Sequence, residues 1–151
     1  MTGLGKKLGL GACLATLWAA CAVAQTEVAT GPFTEAQIDE GRKIYAMRCA
    51  ACHLPSLVGQ GEALPLAGSQ FMAGWSNRTT QDLYTLIQSS MPKNAPGSLD
   101  DRDYANVTAF ILHANGAKAG PTTFLVAPPL RIGLVANGIA PGDIGTAPAA
   151  P

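Results

Sequence analysis

At 151 residues the chain has the length of one domain. Ten basic and ten acidic side chains cancel to a formal charge of zero, and only 13% of residues are charged. With no basic patch and no charge run, the composition excludes nucleic acid as a partner.

Residues 1–24 read as an export signal. Lys6 and Lys7 precede an apolar run from Leu8 to Ala20, and Ala22-Val23-Ala24 places small residues where a signal peptidase cuts, before Gln25. The run is short and dense in Gly and Ala for a spanning helix, so no stable membrane insertion is expected. Lipid attachment at Cys13 or Cys21 departs from the usual pattern. The apolar run before Cys13 is too short, and Trp18 stands where Cys21 would need a branched aliphatic residue. Both cysteines are expected to leave with the signal. Cleavage also removes Lys6 and Lys7, leaving eight basic against ten acidic residues, a charge of −2. The mature chain is therefore expected in the periplasm, an oxidising compartment.

Residues 25–31 read as a linker. Thr34-Glu35-Ala36-Gln37 forms a capping box flanked by Phe33 and Ile38 at the spacing of a hydrophobic staple. A helix is predicted to start near Glu35, with Ile38, Gly41 and Tyr45 on its inner face, and to run towards Cys49.

Cys49-Ala50-Ala51-Cys52-His53 follows, and holds the mature chain's only cysteines. Two thiols one helical turn apart, with a histidine behind the second, admit a redox disulfide, part of a zinc site, or a pair of covalent anchors beside an iron ligand. A thioredoxin-like dithiol calls for a βαβ pattern that the sequence lacks. A structural zinc needs four ligands, and His113, on a different predicted helix, is the one remaining strong candidate. On a helical turn, positions i, i+3 and i+4 share a face, so Cys49 and Cys52 can add to the two vinyl groups of one haem while His53 coordinates iron from the same side. Ala50 and Ala51 leave room for the ring edge. CxxCH is the signature of covalent haem c attachment.

Residues 54–79 are rich in Gly and Pro without a sustained period, and read as loop with at most one short turn. Thr79-x-x-Asp82 opens a helix carrying Leu83, Leu86 and Ile87, which Pro92 stops. Ser98-x-x-Asp101 is a third capping signal, before a helix with Tyr104, Val107, Phe110 and Ile111 that ends at Asn115-Gly116. No strand alternation appears, so residues 32–116 are expected to form an all-α domain. In the tail, 117–151, residues 124–132 are expected to lie along the domain surface and the last dozen to be disordered.

An electron carrier needs a second axial ligand, and Met47, Met72, Met91 and His113 are the candidates. Met47 lies too close to Cys49 to cross to the far face. Met72 reads as packing, since Met fills core gaps. The charge of His113 suits a helix C-terminus. Met91 leaves a helix and is held extended by Pro92, which frees its thioether to reach iron.

From residue 33 to about 120 the chain resembles the class I c-type cytochromes. The resemblance rests on Gly41-x-x-x-Tyr45, the CAACH motif, Pro65-Leu66-Ala67-Gly68, Met91-Pro92 and the stretch from Tyr104 to Gly116. It implies a cytochrome c fold of three to five helices around one haem, with long loops. The first helix would cross the last, Gly41 admitting an aromatic such as Phe110. It also implies that the Pro65 carbonyl accepts a hydrogen bond from the His53 ring. Residues 71–75, 82–84 and 91–99 are similar to small periplasmic cytochromes that serve quinoprotein dehydrogenases. In such relatives, residues comparable to Trp75 and Arg78 contact a haem propionate; an aromatic lid and a solvated cation account for the pair equally well.

The expected function is electron transfer rather than catalysis, with His53 and Met91 as axial ligands. Redox partner proteins are implied: a dehydrogenase as donor, and an oxidase or a second cytochrome as acceptor. A Met ligand and an apolar pocket raise the potential for that role. Two alternatives stand beside it. A five-coordinate haem sensor or peroxidase would want distal acid–base groups, and the sequence offers one spare histidine. A haem subunit of a respiratory complex would use the tail for assembly.

Overall fold

The computed structural model describes residues 29–141, so the expected signal and the segment 142–151 lie outside the described residues. Helix α1 spans Glu35–Arg48, and α2 is the single turn Ala50–His53. They are followed by α3 (Gly68–Trp75), α4 (Thr80–Ser90), α5 (Asp101–Ala114) and the single turn α6 (Ile132–Val135). Among the described residues there is no strand, only one isolated bridge between Thr79 and Arg131. The fold is all-α and cytochrome c-like.

Helix α1 begins where its capping box predicts, with the Thr34 hydroxyl accepting from Gln37 N–H and the Gln37 side chain returning to Thr34 N–H. It crosses α5 at minimal separation. A Cβ built on Gly41 would stand 1.9 Å from the Asn106 carbonyl oxygen and 3.0 Å from the Phe110 Cβ, so only glycine permits this approach. Beside the crossing, the Tyr45 and Phe110 rings lie 5.2 Å apart at 52°, and the Arg42 guanidinium sits over Phe110. Ile38, Tyr45, Tyr104, Val107, Ile111 and Leu112 complete the core between the two helices.

Two boundaries differ from the sequence expectation. Residues 68–75 are helical rather than loop. Ala67 supplies no side-chain cap, and the first amide of α3, Gly68 N–H, is met by Asn115 Oδ1 from the far end of α5 at 2.9 Å. The cap comes from a residue distant in sequence, so no local pattern announces the helix. Helix α5 is capped by Asp100, whose Oδ1 accepts from Asp103 N–H at 2.8 Å, and not by Ser98.

The segment after Gly116 is more deeply packed than a surface tail. Phe124 is 4% exposed against Tyr84, and Ile132 and Val135 are fully buried. Its backbone is tied down along its length. Gly31 N–H donates to Lys118 O, Gly120 N–H to Phe33 O, Thr80 N–H to Leu130 O, and Ile132 N–H to Arg78 O. Asn137 and Gly138 N–H both donate to Asn115 O. This strap straddles the ends of α3, α4 and α5, and packing therefore continues well past residue 116. Leu125, Val126 and Leu134 point outward from it.

Replacing Gly41 with Ala forces the α1–α5 crossing apart. Overpacking of this kind costs about 1–3 kcal/mol. A urea melt of the holoprotein is expected to show a lower midpoint with an unchanged slope.

Candidate functional site

The CAACH segment is the continuation of α1 through a bend at Cys49. Cys49 N–H still bonds Tyr45 O at 2.9 Å, His53 N–H bonds Cys49 O at 3.0 Å, and Leu54 N–H bonds Ala50 O at 2.9 Å. Leu54 then turns left-handed (φ 62°), as does Leu57 (φ 61°), which ends the turn abruptly behind the histidine. Two non-glycine residues in that region mark backbone held by its surroundings rather than by preference. One of those restraints is the Tyr45 hydroxyl, which donates to Leu54 O at 2.8 Å. Burial raises the Tyr45 pKa above its ordinary value, the neighbouring Cys49 adding to the shift, so the hydroxyl stays a donor.

His53 is buried, and its Nδ1 lies 2.9 Å from the Leu64 carbonyl oxygen. A carbonyl can only accept, so Nδ1 carries the proton and Nε2 keeps its lone pair for a metal. The sequence expectation of a Pro65 carbonyl is corrected to that of Leu64. Leu66 N–H is fixed to Leu57 O at 2.8 Å and Ala63 N–H to Gln60 O at 3.0 Å. That register turns the carbonyl before Pro65, and not the one after it, towards the ring.

Both thiols are free, Cys49 half-buried and Cys52 exposed. Burial pushes the Cys49 thiol up to about 11 against the opposing charge of Arg48, so it holds its proton at neutral pH. A reactive redox dithiol or a preformed zinc thiolate wants the opposite. Among the described residues no cluster of three or more His, Cys, Asp or Glu side chains is placed to hold a metal ion.

Of the sixth-ligand candidates, Met91 caps α4 in an extended conformation (φ −126°, ψ 152°). Its N–H bonds Ile87 O, and its carbonyl accepts from the buried Tyr104 hydroxyl at 2.7 Å. Helix α4 positions it, and α4 is in turn capped by Thr79 and Asp82 in a reciprocal box. Met72, half-buried on α3, has its Cγ against Gly138 of the strap. His113 sits at the end of α5 with Nδ1 3.1 Å from Ala117 O, a satisfied terminal histidine. Met47 is exposed. Trp75 and Arg78 are brought together, the guanidinium 5.0 Å from the indole centroid, and Trp75 stacks on Phe71.

The donor set fits a covalent haem. Two thiols occupy one face of a turn, the adjoining imidazole has a single uncommitted nitrogen, and the Met91 backbone is fixed at a separate helix end. Half-buried apolar residues from several segments, among them Ala50, Leu66, Ala67, Trp75, Met91 and Leu99, pack one flank on the core. Such half-buried apolar surface suits a macrocycle. Two functional contacts escape sequence reasoning, the Leu64 carbonyl and the Tyr104 hydroxyl. Any residue carries a backbone carbonyl, so the first has no signature in the sequence. The second is a Tyr at a core-facing helical position, visible only as hydrophobic.

Residues 36–111 match the family described as cytochrome C oxidase, cbb3-type, subunit III. Among solved structures, the chain is similar to the sulfane dehydrogenase SoxCD from Paracoccus pantotrophus. The identity is 23% and the TM-score 0.44, with 94% of this chain and 72% of that chain covered. No curated protein matches the sequence.

The cap of α4 gives a pH dependence. Hydrogen bonds from the Thr79 backbone and then its side chain hold the Asp82 carboxyl below the usual carboxylate range. A depressed folded-state pKa stabilises above the unfolded value, about 3.9, and that contribution fades as pH falls through the folded value. Asp82→Asn is expected to lower the melting temperature at pH 7, with the difference from the unsubstituted protein shrinking as pH falls through the folded-state value, as a calorimetric pH series would show.

Proposed function

The chain belongs to the cytochrome c family described as cytochrome C oxidase, cbb3-type, subunit III, and from that membership we propose a periplasmic one-electron carrier with His53 and Met91 as axial ligands. Covalent haem c at Cys49 and Cys52 and an electron-transfer role follow from the family itself. The ligation rests on one observation above all: the Leu64 carbonyl commits His53 Nδ1 and leaves Nε2 as the coordinating atom, beside both thiols.

When bound, the haem supplies a metal centre that changes by one electron. The protein's own groups set the conditions for that change. The Leu64 carbonyl orients the imidazole and makes it a stronger donor. Tyr104 fixes the Met91 backbone, so the thioether is presented from a rigid helix end rather than a loose loop. The apolar, half-buried lining disfavours the more highly charged oxidised state, and a Met ligand acts in the same direction, raising the potential. Trp75 and Arg78, held together, are proposed to contact a propionate.

The proposed donor is a dehydrogenase, of the quinoprotein type by the similarity of residues 71–75 and 91–99, and the acceptor an oxidase or another cytochrome. A second reading, a haem subunit of a respiratory oxidase, draws on the family description. Among the described residues no helix is long and apolar enough to cross a membrane, so an assembled chain would dock through its surface. Purification from native membranes separates the two, since a subunit would migrate with an oxidase activity and a carrier would not.

Mass spectrometry of the denatured mature protein is expected to show haem retained on Cys49 and Cys52; a haem-free mass would end this reading. In the folded ferric protein, Met91→Ala is expected to abolish the methionine-type charge-transfer absorption and lower the potential. His113→Ala should change neither. Persistence of that absorption in Met91→Ala would assign the sixth ligand elsewhere.

A second expectation concerns the partner. The segment 49–61 carries no Lys, Arg, Asp or Glu; Val58 within it is 57% exposed and Leu64 just beyond it 74%. Docking through so apolar an edge leaves little for charge steering. Reduction rates by the dehydrogenase are expected to vary only a few-fold between low and physiological salt, against the ~10–10³ range of strongly steered pairs. A steep fall relieved by neutralising Asp100, Asp101 and Asp103 in stopped-flow measurements would move the docking site to the start of α5.

A further inference from the structure

We propose that Asn115 is a positioning residue for the haem-iron ligand, joining the C-terminal strap to the backbone segment that orients His53. The inference rests on the reading of His53 as an axial ligand and adds to it the group that holds the ligand's own hydrogen-bond partner in place.

Asn115 is fully buried at the end of α5, and every polar group of its side chain is used. Oδ1 accepts from Gly68 N–H at 2.9 Å. Nδ2 donates to Leu66 O and to Ile111 O, each at 2.9 Å. Its backbone carbonyl accepts from Asn137 N–H at 3.0 Å and Gly138 N–H at 2.9 Å. A single residue thus bridges three stretches distant in sequence: the end of α5, the 66–68 backbone, and the strap.

The 66–68 backbone is the continuation of the His53 support. Leu64 O receives the His53 Nδ1 proton, and two residues later Leu66 is held on both sides, its N–H by Leu57 O and its carbonyl by Asn115 Nδ2. Leu57 lies in the left-handed backbone just behind His53. The Leu64 side chain is 74% exposed, so it does not anchor its own peptide; Leu66 and Ala67 beside it pack on the core, and the hydrogen bonds at Leu66 set the register. Without the Nδ2 donation, the half-buried Leu66 O loses this partner, and the segment relaxes from the register that aims Leu64 O at the ring. The strap enters the same network through the Asn115 carbonyl. Folding of residues 137–138 onto α5 and orientation of the imidazole therefore share one residue.

The test uses the holoprotein with three variants. Asn115→Ala removes the three side-chain hydrogen bonds and leaves the backbone carbonyl to the strap. Asn115→Asp is isosteric, keeps an acceptor for Gly68 N–H and turns a carboxylate oxygen instead of a donor towards Leu66 O and Ile111 O. Ile132→Ala weakens the strap without touching Asn115. Hydrogen–deuterium exchange of the His53 Nδ1 proton and the midpoint potential are read for each, alongside the melting temperature. Both Asn115 variants are expected to exchange that proton faster, on the order of tenfold for a lost hydrogen bond in its support. Their potentials rise, because a less polarised imidazole donates less to iron. Ile132→Ala is expected to melt lower with wild-type exchange and potential. The proposal is overturned if both Asn115 variants keep wild-type exchange and potential, or if Ile132→Ala shifts them equally at a matched loss of stability. Should the ferric wild type show no hyperfine-shifted His53 ring, the axial ligation itself fails and this inference fails with it.

Discussion

The contact of Gly41 with the Asn106 carbonyl is the constraint on which the rest of the structure depends. With no side chain between them, α1 and α5 approach until backbone nearly meets backbone, and both ends of α5 are placed by that approach. The outgoing end of α1 becomes the CAACH turn. One end of α5 delivers Tyr104 to the Met91 carbonyl, and the other delivers Asn115 to the 66–68 backbone. A wider crossing would move the support of both proposed iron ligands at once. The side chains at the crossing reinforce it, since Gln37 bridges Asn106 and the Phe124 amide.

Hydrogen bonds to backbone carbonyls recur throughout the site. Tyr45 holds Leu54, Leu64 holds His53, Tyr104 holds Met91, and Asn115 holds Leu66. Neutral groups fix every one of these positions. A carrier that passes one electron repeatedly benefits from such a frame, because fixed neutral dipoles need no rearrangement of ionised groups as the iron changes charge. The only ion pair among the described residues is the exposed Lys43–Glu40 pair on α1, and exposed pairs contribute little to stability.

The strap shows how a stretch with no period of its own becomes part of a domain. Pro121, Pro128 and Pro129 bound a single turn in which the Val126 and Ala127 amides bond Thr123 O, and they keep it from extending into a helix. On either side of that turn the amides of Gly120, Ile132, Gly133, Asn137 and Gly138 bond carbonyls of Phe33, Arg78, Ser76 and Asn115, and the strap's few large apolar side chains fill the gaps left between helix ends. Between those anchors Leu125 and Val126, and within the last turn Leu134, remain exposed as an apolar surface.

The sequence by itself determined the elements whose causes are local. The capping boxes at Thr34 and Thr79 start α1 and α4, Pro92 ends α4, Asn115-Gly116 ends α5, and CxxCH assigns the haem. Each depends on side chains within about one turn of the backbone they control, so spacing suffices to read them. The tertiary structure decided what depends on groups brought from far along the chain. Helix α3 is capped by Asn115 across the fold, the His53 partner is the Leu64 carbonyl instead of that of Pro65, and Phe124 and Ile132 enter the core instead of lying on its surface. In the first two the partner is a backbone atom, or an amide acting on one, and every residue type carries the same backbone; in the third it is apolar surface on helices distant in sequence, such as the Tyr84 ring. Composition and period leave such pairings unspecified until packing of the helices sets which carbonyl faces which donor.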